Sequence, residues 1–293
     1  MKKETVYSLL GGIVLGLILS WLWSKISCKD VVYTVPKPSP EATITFTCTT
    51  HKRLDQFCKT MISLLKNMKD LHLIRSWVVI DDGSSLEDRI TMQRMFPFVT
   101  FVGKGEGYRK HPHSMNILLY GFVNTPYWLQ FEDDWETKVP FRLSEVLQVL
   151  QSGSYKQVGL NRWGLHKNPR PGVPYDIVPK SLKNGTKYME INYKEQDRQK
   201  LQSMGVENYC KNGDFWSKEQ PAWPLFSLNP SLNDTSFFKT LLPFDTDPVK
   251  NSKPVAYRFE MEFACKFLLK GGTKASMDTE YVTHMDGLST QDL

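Results

Sequence analysis

The chain has 293 residues and a mild formal net charge of +6, and its basic residues are scattered along the sequence. A nucleic-acid-binding face is therefore not indicated, and we expect no nucleic-acid partner. The five cysteines are neither spaced as metal ligands nor dense enough for a disulfide scaffold, and the chain shows no internal repeat or low-complexity tract.

The N-terminus contains one stretch that suits a membrane helix. Residues Val6 to Trp23 carry no charge and are mostly Leu, Ile, Val and Gly, so a helix of this length would cross about 30 Å of hydrocarbon. Lys2 and Lys3 precede it and no small-residue cleavage site follows, which predicts an uncleaved signal anchor. Residues 1–5 are then a cytoplasmic tail, residues 6–23 the span, and the protein is a single-pass type II membrane protein with a lumenal, ER/Golgi-type catalytic domain. A cleaved signal peptide is the alternative, and both routes export the C-terminal part.

Beyond the span, the sequence predicts a stem at 24–41 and a globular domain at 42–293. The closely spaced prolines of Val35 to Pro40 forbid both a helix and a central strand, and the remaining length suits one large α/β domain. Two acceptor triplets for N-glycosylation, Asn184-Gly185-Thr186 and Asn233-Asp234-Thr235, agree with a lumenal face. In an oxidising lumen some cysteines can pair, and the odd count leaves at least one thiol unpaired or joined to another chain.

Within the domain, strand and helix patterns alternate, which predicts a largely parallel sheet. The expected strands are Thr43 to Cys48, Trp77 to Ile80, Phe98 to Val102, Tyr127 to Phe131, Gln157 to Leu160, Leu225 to Leu228 and Tyr281 to His284. The expected helices are Leu54 to Leu65, Leu86 to Met95, Ser114 to Phe122 and Phe259 to Leu269, the last ended by Gly271 and Gly272. The polar stretch Lys183 to Pro221 is weakly periodic, apart from a helical pattern at Lys194 to Met204, and predicts a mobile surface excursion.

Two of the expected strands end in acids. The strand that starts at Tyr127 runs directly into Glu132-Asp133-Asp134, and the strand that starts at Trp77 runs into Asp81-Asp82-Gly83. Like charges in one turn repel, so a divalent cation held by oxygen ligands would neutralise them most directly. Ligands of open α/β sheets also bind at strand ends. Acids followed by Gly or Ser can instead simply end a strand in a solvated turn, but the joint occurrence of both motifs favours a site.

With the residues in this order, the chain resembles the nucleotide-sugar glycosyltransferases of the GT-A fold, most closely the family 2 type, over nearly all of the globular domain. The resemblance implies an α/β fold with a mostly parallel mixed sheet flanked by helices. It implies that the loop after the first strand contacts the nucleotide, here through Thr49, His51 and Arg53. The "DDGSS" strand end is implied to contact the base or ribose, through Asp81 and Asp82.

The second acidic strand end resembles the metal-binding "DxD" element of that family. Its sequence, Glu132-Asp133-Asp134, looks like the "EDD" form of lumenal N-acetylglucosaminyltransferases. The resemblance makes Asp134 the main ligand of Mn²⁺ or Mg²⁺, with Glu132 in support and Asp133 at the donor site. It also implies that His284 completes the metal shell from the C-terminal end, although a lone histidine near a terminus is more often a surface or packing residue.

A third element concerns the catalytic base. Phe259-Glu260-Met261-Glu262-Phe263 looks like the family segment "ED-x-E-F", with Phe259 where the family usually has the first acid. Glu260 falls at the position of the base, which takes the proton of the attacking sugar hydroxyl. Glu262 is the competing choice, and a solvated acid in the first turn of a helix is the ordinary alternative. A base acting in one displacement implies inversion at the anomeric carbon.

Other residues are less direct candidates for binding the nucleotide-sugar donor or the acceptor sugar. The glycine-rich basic loop Gly103 to His113 and the helix start after it suit a diphosphate, which assigns Lys104 and Asn116 to the donor, although such loops are usually soluble surface. The tryptophans at 216 and 223 and Phe226 are candidates for stacking on an acceptor sugar. Ser227 to Leu232 resembles a family segment near the acceptor side.

The resulting expectation is a membrane-anchored, metal-dependent glycosyltransferase of the hexosyl- or N-acetylhexosaminyl-transferase class. Its donor would be a nucleoside-diphosphate sugar, expected to be a UDP-sugar, and its acceptor a hydroxyl of a glycan or glycoprotein. Nucleotidyltransfer onto a sugar phosphate is a competing chemistry, but it normally needs a glycine- and arginine-rich first loop that Thr49 to Lys52 lacks. A catalytically inactive relative that binds a glycan or a protein is the other alternative, because Phe259 replaces an acid.

Overall fold

The computed structural model describes residues 31–105, 110–161, 175–206, 225–246 and 258–285. The predicted membrane span at 6–23 lies outside these ranges, and within them no helix is both long and apolar enough to cross a bilayer. Residues 31–41, the end of the predicted stem, contain no helix or strand. Tyr33 nevertheless stacks on Phe96, with ring centroids 5.2 Å apart, so the stem packs against the domain.

The first half of the domain alternates strands and helices as predicted. Its elements are β1 (Ile44–Thr50), α1 (Leu54–Asn67), β2 (Met68–Lys69), β3 (Ile74–Asp81), α2 (Leu86–Met95), β4 (Val99–Gly103), α3 (His111–Ile117) and β5 (Tyr127–Glu132). A short 3-10 turn, Leu71–Leu73, precedes β3. The helix predicted from Ser114 begins earlier, at His111, and continues beyond Ile117 as a π-helical turn over Leu118–Phe122.

The second half contains more strands than the sequence predicts. Its elements are β6 (Trp135–Thr137), β7 (Phe141–Arg142), α4 (Leu143–Ser152), β8 (Gln157–Gly159), β9 (Tyr175–Ser181), β10 (Lys187–Tyr193), α5 (Glu195–Val206), β11 (Ser231–Asp234), α6 (Thr235–Lys239), α7 (Arg258–Leu269), β12 (Lys274–Met277) and β13 (Val282–His284). The helices predicted at 194–204 and 259–269 and the last short strand are confirmed as α5, α7 and β13.

Two expectations about this half were wrong. Leu225 to Leu228 is not a strand, and the strand of this region, β11, begins at Ser231. The backbone of Leu225 has a φ of 69°, which breaks extended geometry. The described part of the stretch Lys183 to Pro221 is not a mobile excursion, because β10 pairs with both β9 and β12 and extends the main sheet; residues 207–221 lie outside the described ranges.

Nine strands form one mixed sheet in the order β4-β3-β1-β5-β11-β8-β12-β10-β9. The first four are parallel neighbours, as predicted, and β8 and β12 are also parallel. The remaining neighbours, β5 and β11, β11 and β8, β12 and β10, and β10 and β9, are antiparallel. Parallel pairing is therefore concentrated among β4, β3, β1 and β5, which come from the N-terminal half of the domain. The two predicted acidic strand ends belong to β3 and β5.

Two clusters of buried apolar side chains fill the domain. The first contains residues of β1, α1 and α4, including Phe46 and Phe57. The second contains α7 and residues around it, and Phe244 and Phe263 stack there with ring centroids 3.8 Å apart. This packing covers one face of α7, while Glu260 in the first turn of the same helix is only partly buried.

Cysteines and acceptor triplets differ in their surroundings. Cys265 in α7 is disulfide-bonded, whereas Cys48 and Cys58 form no disulfide. Asn184 is exposed in the turn between β9 and β10. Asn233 is 0% exposed in β11 and donates to the Trp128 carbonyl, so the folded chain offers only the first triplet to solvent.

Candidate functional site

The acids predicted to form a site meet at one edge of the sheet. The parallel register places Thr49 beside Glu132, Thr50 beside Asp81 and Asp81 beside Gly103, so β1, β3, β4 and β5 end together. Ligands of open α/β sheets bind at this carboxyl edge. The two acidic strand ends were expected to be neighbours in one sheet; they do share this edge, but β1 lies between β3 and β5.

Asp133 is buried in the turn between β5 and β6 and holds the loop after β1. Its carboxylate accepts hydrogen bonds from Thr50 Oγ1 at 2.8 Å and from the His51 amide at 3.1 Å, and it pairs with Arg53 at 2.8 Å. Burial raises its pKa to about 6, although Arg53 acts to lower it. Because Asp133 is only 1% exposed, its role in this structure is to fix the loop that bears His51 and Arg53.

Asp134 lies next to two cationic or coordinating side chains. Its Oδ2 is 3.1 Å from an Arg53 nitrogen and 3.4 Å from His284 Nε2. Burial acts to raise its pKa, but His284 and Arg53 together hold that pKa below its ordinary value. The contact with His284 arises because β13 pairs with β6 and places His284 opposite Trp135. The Asp134 carboxylate is therefore ionised and close to a histidine contributed by the C-terminal end.

Glu132 faces a different neighbour from Asp134. Its Oε1 is 3.6 Å from His111 Nδ1. Burial raises its pKa well above the ordinary value, and the charges of Asp134, Glu260 and Asp133 raise it further. The structure thus brings together Asp134 and His284 of the three predicted metal ligands, and it turns the third, Glu132, towards His111.

His111 is a site residue that the sequence did not single out. It begins α3, and its Nε2 is 3.5 Å from Thr49 Oγ1 while its ring packs edge-on against Phe259 at 5.3 Å. Burial lowers its pKa to about 4, with the charge of Lys104 acting in the same direction. The imidazole is therefore neutral at physiological pH and links β1, β5 and α7 across the site. Its signal in the sequence, one histidine of the basic loop, did not distinguish it from His113.

The acids of the other strand end, Asp81 and Asp82, form ion pairs with Arg89 and Lys104. Asp81 accepts from Arg89 Nε at 2.6 Å and from Ser84 Oγ at 2.5 Å. Asp82 Oδ2 accepts from Lys104 Nζ at 2.9 Å, while Asp82 Oδ1 is buried and has no hydrogen-bond partner among the described residues. His51 Nδ1 contacts the Asp82 carbonyl.

Two residues that were predicted to bind the nucleotide-sugar donor, Lys104 and Asn116, are engaged by other groups of the chain. Lys104 is buried between Asp82, Ser114 Oγ at 2.7 Å and the Lys110 carbonyl at 3.1 Å. Asn116 exchanges two hydrogen bonds with the backbone of Phe244, at 2.9 and 2.8 Å. Lys104 thus anchors the basic loop to β3, and Asn116 anchors α3 to the segment before α7. Both side chains therefore use their N–H groups on partners within the chain in this structure.

Glu260, the candidate base, projects from the first turn of α7. Its Oε1 accepts from the Leu228 amide at 2.7 Å and from Ser227 Oγ at 3.2 Å. Burial raises its pKa, although these two hydrogen bonds and the charge of Lys274 act to lower it. The competing residue Glu262 is paired with Lys266 at 2.8 Å on the same helix. The charge of Glu260 also acts to raise the pKa of Glu132, so Glu260 is close enough to the acidic strand end to interact with it, which favours Glu260 over Glu262.

The segment that holds Glu260 is itself held by buried side chains. Gln157 Nε2 donates to the Ser227 carbonyl at 2.8 Å, and Gln157 Oε1 accepts from the Ser227 amide at 3.2 Å. Lys274 Nζ donates to the Leu225 carbonyl at 2.9 Å, and burial lowers the Lys274 pKa to about 8. The sequence did not predict these two residues, because β12 was not recognised and Gln157 looks like an ordinary strand residue.

The residues present fit a divalent cation in part. Within the described ranges, no group of three His, Cys, Asp or Glu side chains is arranged to hold a metal ion. In the part of the chain that the structure describes, however, Asp134 Oδ1 is buried without a hydrogen-bond partner, and His284 lies on the other oxygen of the same carboxylate. A buried acceptor without a partner is unfavourable unless a ligand or ion satisfies it. Carboxylate and imidazole are suitable ligands for Mn²⁺.

Comparison with known proteins identifies the fold. No protein-family model matches the sequence, and a search of curated proteins gives no significant match. The crystal structure of GalNAc-T7 with UDP, GalNAc and Mn²⁺ matches 89% of this chain and 48% of that one, with 12% identity and a TM-score of 0.51. The mannosyltransferase PcManGT from Pyrobaculum calidifontis, in complex with GDP-Man and Mn²⁺, matches 98% and 69%, with 13% identity and a TM-score of 0.49.

The chain spans about half the length of the GalNAc-T7 structure. At this identity the likeness establishes a shared fold, and it agrees with the mixed α/β, GT-A-type architecture expected from the sequence. The activity has to be argued from the residues at the strand ends.

The neutral state of His111 leads to a prediction about pH and stability. The pKa of His111 is about 4 in the folded chain against an ordinary 6.5, so between these values the unfolded state binds the extra proton. The free energy of unfolding should therefore rise from pH 4 to 6.5 and fall as the pH is lowered. His111→Gln should lose part of this rise in urea denaturation at a series of pH values. The same substitution at the exposed His72 should keep it, and parallel curves for wild type and His111→Gln would contradict the assignment.

Proposed function

We propose that this protein is a divalent-metal-dependent glycosyltransferase that moves a sugar from a nucleoside-diphosphate sugar to a hydroxyl of a glycan or glycoconjugate. The proposal depends most on Asp134, whose buried Oδ1 lacks a hydrogen-bond partner within the described ranges and whose Oδ2 lies 3.4 Å from His284 at the carboxyl edge of the sheet. The fold shared with GalNAc-T7, whose structure contains UDP and Mn²⁺, supports this and makes a UDP-sugar our first choice of donor.

Asp134 and His284 would hold the cation, with Glu132 as a third ligand once its side chain turns away from His111. When bound, the metal would stabilise the negative charge that collects on the leaving diphosphate. On the nucleotide side, Asp82 Oδ1 is a buried acceptor to which no described residue donates, which suits a hydroxyl or amide group of the donor. Arg53, which pairs with both Asp133 and Asp134, would be the cation that contacts a diphosphate bound beside these two carboxylates.

Glu260 takes the proton of the acceptor hydroxyl in this proposal. Only its Oε1 is engaged by Leu228 and Ser227, so the second oxygen is the one that accepts the proton. Burial raises the pKa of Glu260, which makes the carboxylate a better base than an exposed one. A base that activates the acceptor for one direct displacement gives inversion at the anomeric carbon. Phe259, at the position of the missing acid, instead packs against His111 and Phe244.

We also propose that the catalytic domain faces an oxidising lumen and that residues 6–23 anchor it as a type II membrane protein. The disulfide at Cys265 supports an oxidising compartment, because such bonds are rare where thiols are kept reduced. The uncharged stretch Val6 to Trp23 supports the anchor.

The direct test is hydrolysis and transfer with a panel of UDP- and GDP-sugars in the presence of Mn²⁺ or of a chelator. Metal-dependent turnover of one donor supports the enzyme. Donor binding without turnover of any sugar on any acceptor tested would instead support a non-catalytic binding protein.

Asp134→Asn should abolish metal-dependent donor binding, because it removes the charge of the carboxylate that contacts His284 while keeping its size. Isothermal titration with Mn²⁺ alone and then with the donor measures both steps. Asp70→Asn is the matched control, since Asp70 pairs with Arg142 at the opposite end of β3. Unchanged Mn²⁺ binding by Asp134→Asn would contradict the metal assignment.

Glu260→Gln should leave donor binding intact and lower the rate of transfer by roughly 10²- to 10⁴-fold, the usual contribution of a general base. Glu262→Gln should have a much smaller effect, because Glu262 is engaged by Lys266. Single-turnover transfer together with donor titration separates the two steps. If Glu262→Gln showed the larger loss, the base would be Glu262.

A further inference from the structure

The two acceptor triplets for N-glycosylation occupy opposite environments. Asn184 lies at the tip of the hairpin that joins β9 and β10, and β9 is the edge strand of the sheet. The tip is a tight turn in which Gly185 has a φ of 89° and its amide donates to the Leu182 carbonyl at 3.0 Å. Asn233, by contrast, is in β11, between β5 and β8, where no bulky group can be attached without opening the sheet.

The side chain of Asn184 is displayed in a defined conformation. Its Oδ1 accepts from the amide of Thr186 at 3.0 Å, which forms an Asx turn across the triplet itself. Its Nδ2 donates to Gln148 Oε1 of α4 at 2.8 Å. A secondary amide keeps one N–H, so a sugar on Nδ2 leaves a donor for Gln148 and does not require the loss of this contact.

We propose that the folded chain carries an N-linked glycan at Asn184 and none at Asn233, an inference that relies on the proposed lumenal orientation and not on the proposed enzymatic activity. In this step Nδ2 forms a bond to the anomeric carbon of an oligosaccharide carried on a lipid diphosphate. The bond between that carbon and the diphosphate breaks, the diphosphate leaves with the electron pair, and Nδ2 loses one proton. The glycan would cover one end of the exposed β9 edge, where unpaired backbone groups invite association with other chains.

The test uses the full chain, expressed in cells with a secretory pathway and treated with an endoglycosidase that removes N-glycans. Wild type should shift on a denaturing gel by the mass of one glycan, and both Asn184→Gln and Thr186→Ala should lose the shift. Thr186→Ser keeps a hydroxyl and should retain it. A shift that persists in Asn184→Gln would overturn the assignment of the site.

A reporter separates the site from the orientation of the chain. Glu41→Asn creates an acceptor triplet with Ala42 and Thr43 at an exposed position before β1. If the reporter is glycosylated and Asn184 is not, the inference about Asn184 is overturned and the lumenal orientation stands. If neither is glycosylated, both are overturned.

A separate observation concerns the segment that holds Glu260. Ser227 lies outside any strand, yet both of its backbone groups are paired, and the partner is the side-chain amide of Gln157, which is 0% exposed. The Gln157 amide also donates to Asn233 Oδ1 at 3.0 Å, which fixes its own orientation within the sheet. The Ser227 hydroxyl then donates to Glu260 Oε1. The rigid sheet is thus connected to Glu260 through one glutamine and one serine.

We infer that Gln157 is a positioning residue for the base, an inference that relies on the proposed role of Glu260. Gln157→Met should lower the transfer rate by tenfold or more while the affinity for the donor stays within twofold. Gln157→Glu keeps the oxygen that accepts from Ser227 and should give a smaller loss in the same direction. Gln130→Met is the matched control, because Gln130 is equally buried in β5 and hydrogen-bonds to Thr47 instead.

Amide hydrogen exchange of residues 225–230 supplies a readout without activity. Exchange at Ser227 and Leu228 should become faster in Gln157→Met and stay unchanged in Gln130→Met. Unchanged exchange in Gln157→Met would overturn the inference whether or not the wild type shows turnover. Turnover by wild type with equal losses in the two variants would show a general effect of burial and would also overturn it.

Discussion

The pairing of Arg53 with Asp133 and Asp134 is the interaction on which the site depends. Two like charges about 4 Å apart near a protein surface repel by roughly 4 kcal/mol, so this turn needs a cation close by. Arg53 contacts Asp133 at 2.8 Å and Asp134 at 3.1 Å, and Asp133 in turn holds Thr50 and His51. One guanidinium therefore stabilises the turn after β5 and shapes the loop after β1. Removing it would leave buried charge uncompensated, at a cost of about 3–5 kcal/mol.

Backbone pairing then determines which side chains surround this turn. Parallel register brings Asp81 beside the end of β1, and the pairing of β13 with β6 brings His284 to Asp134, across 150 residues of chain. Glu260 arrives by a different route, on a helix packed through Phe244 and Phe263. The two sides of the site thus have separate supports, strand ends for the donor side and α7 for the base.

Much of the site could be predicted, because strand patterns ending in acids also specify where those acids meet. β1, β3, β5, α1 and α7 have clear periodicity, and parallel strands end at a common edge. The second half was harder: β11 and β12 are four residues each, too short for a reliable period, and Leu225 to Leu228 is apolar like a strand but is held by side chains. The ion pair and hydrogen bonds that Lys104 and Asn116 form within the chain could not be predicted either, because their partners lie in segments without a distinctive pattern.

The charge balance of the turn explains why Arg53 and a divalent cation need not exclude each other. Arg53 brings one positive charge to two carboxylates, and His111, with a pKa of about 4, brings none at neutral pH. Burial raises the pKa of Glu132, and the remaining negative charge of Asp134, Glu260 and Asp133 raises it further. Asp134 contacts Arg53 through Oδ2, while none of the described residues donates a hydrogen bond to its Oδ1. A cation at Oδ1 would therefore supply the missing charge while Arg53 stays on Asp133, and Glu132 would then ionise more readily and become a better ligand.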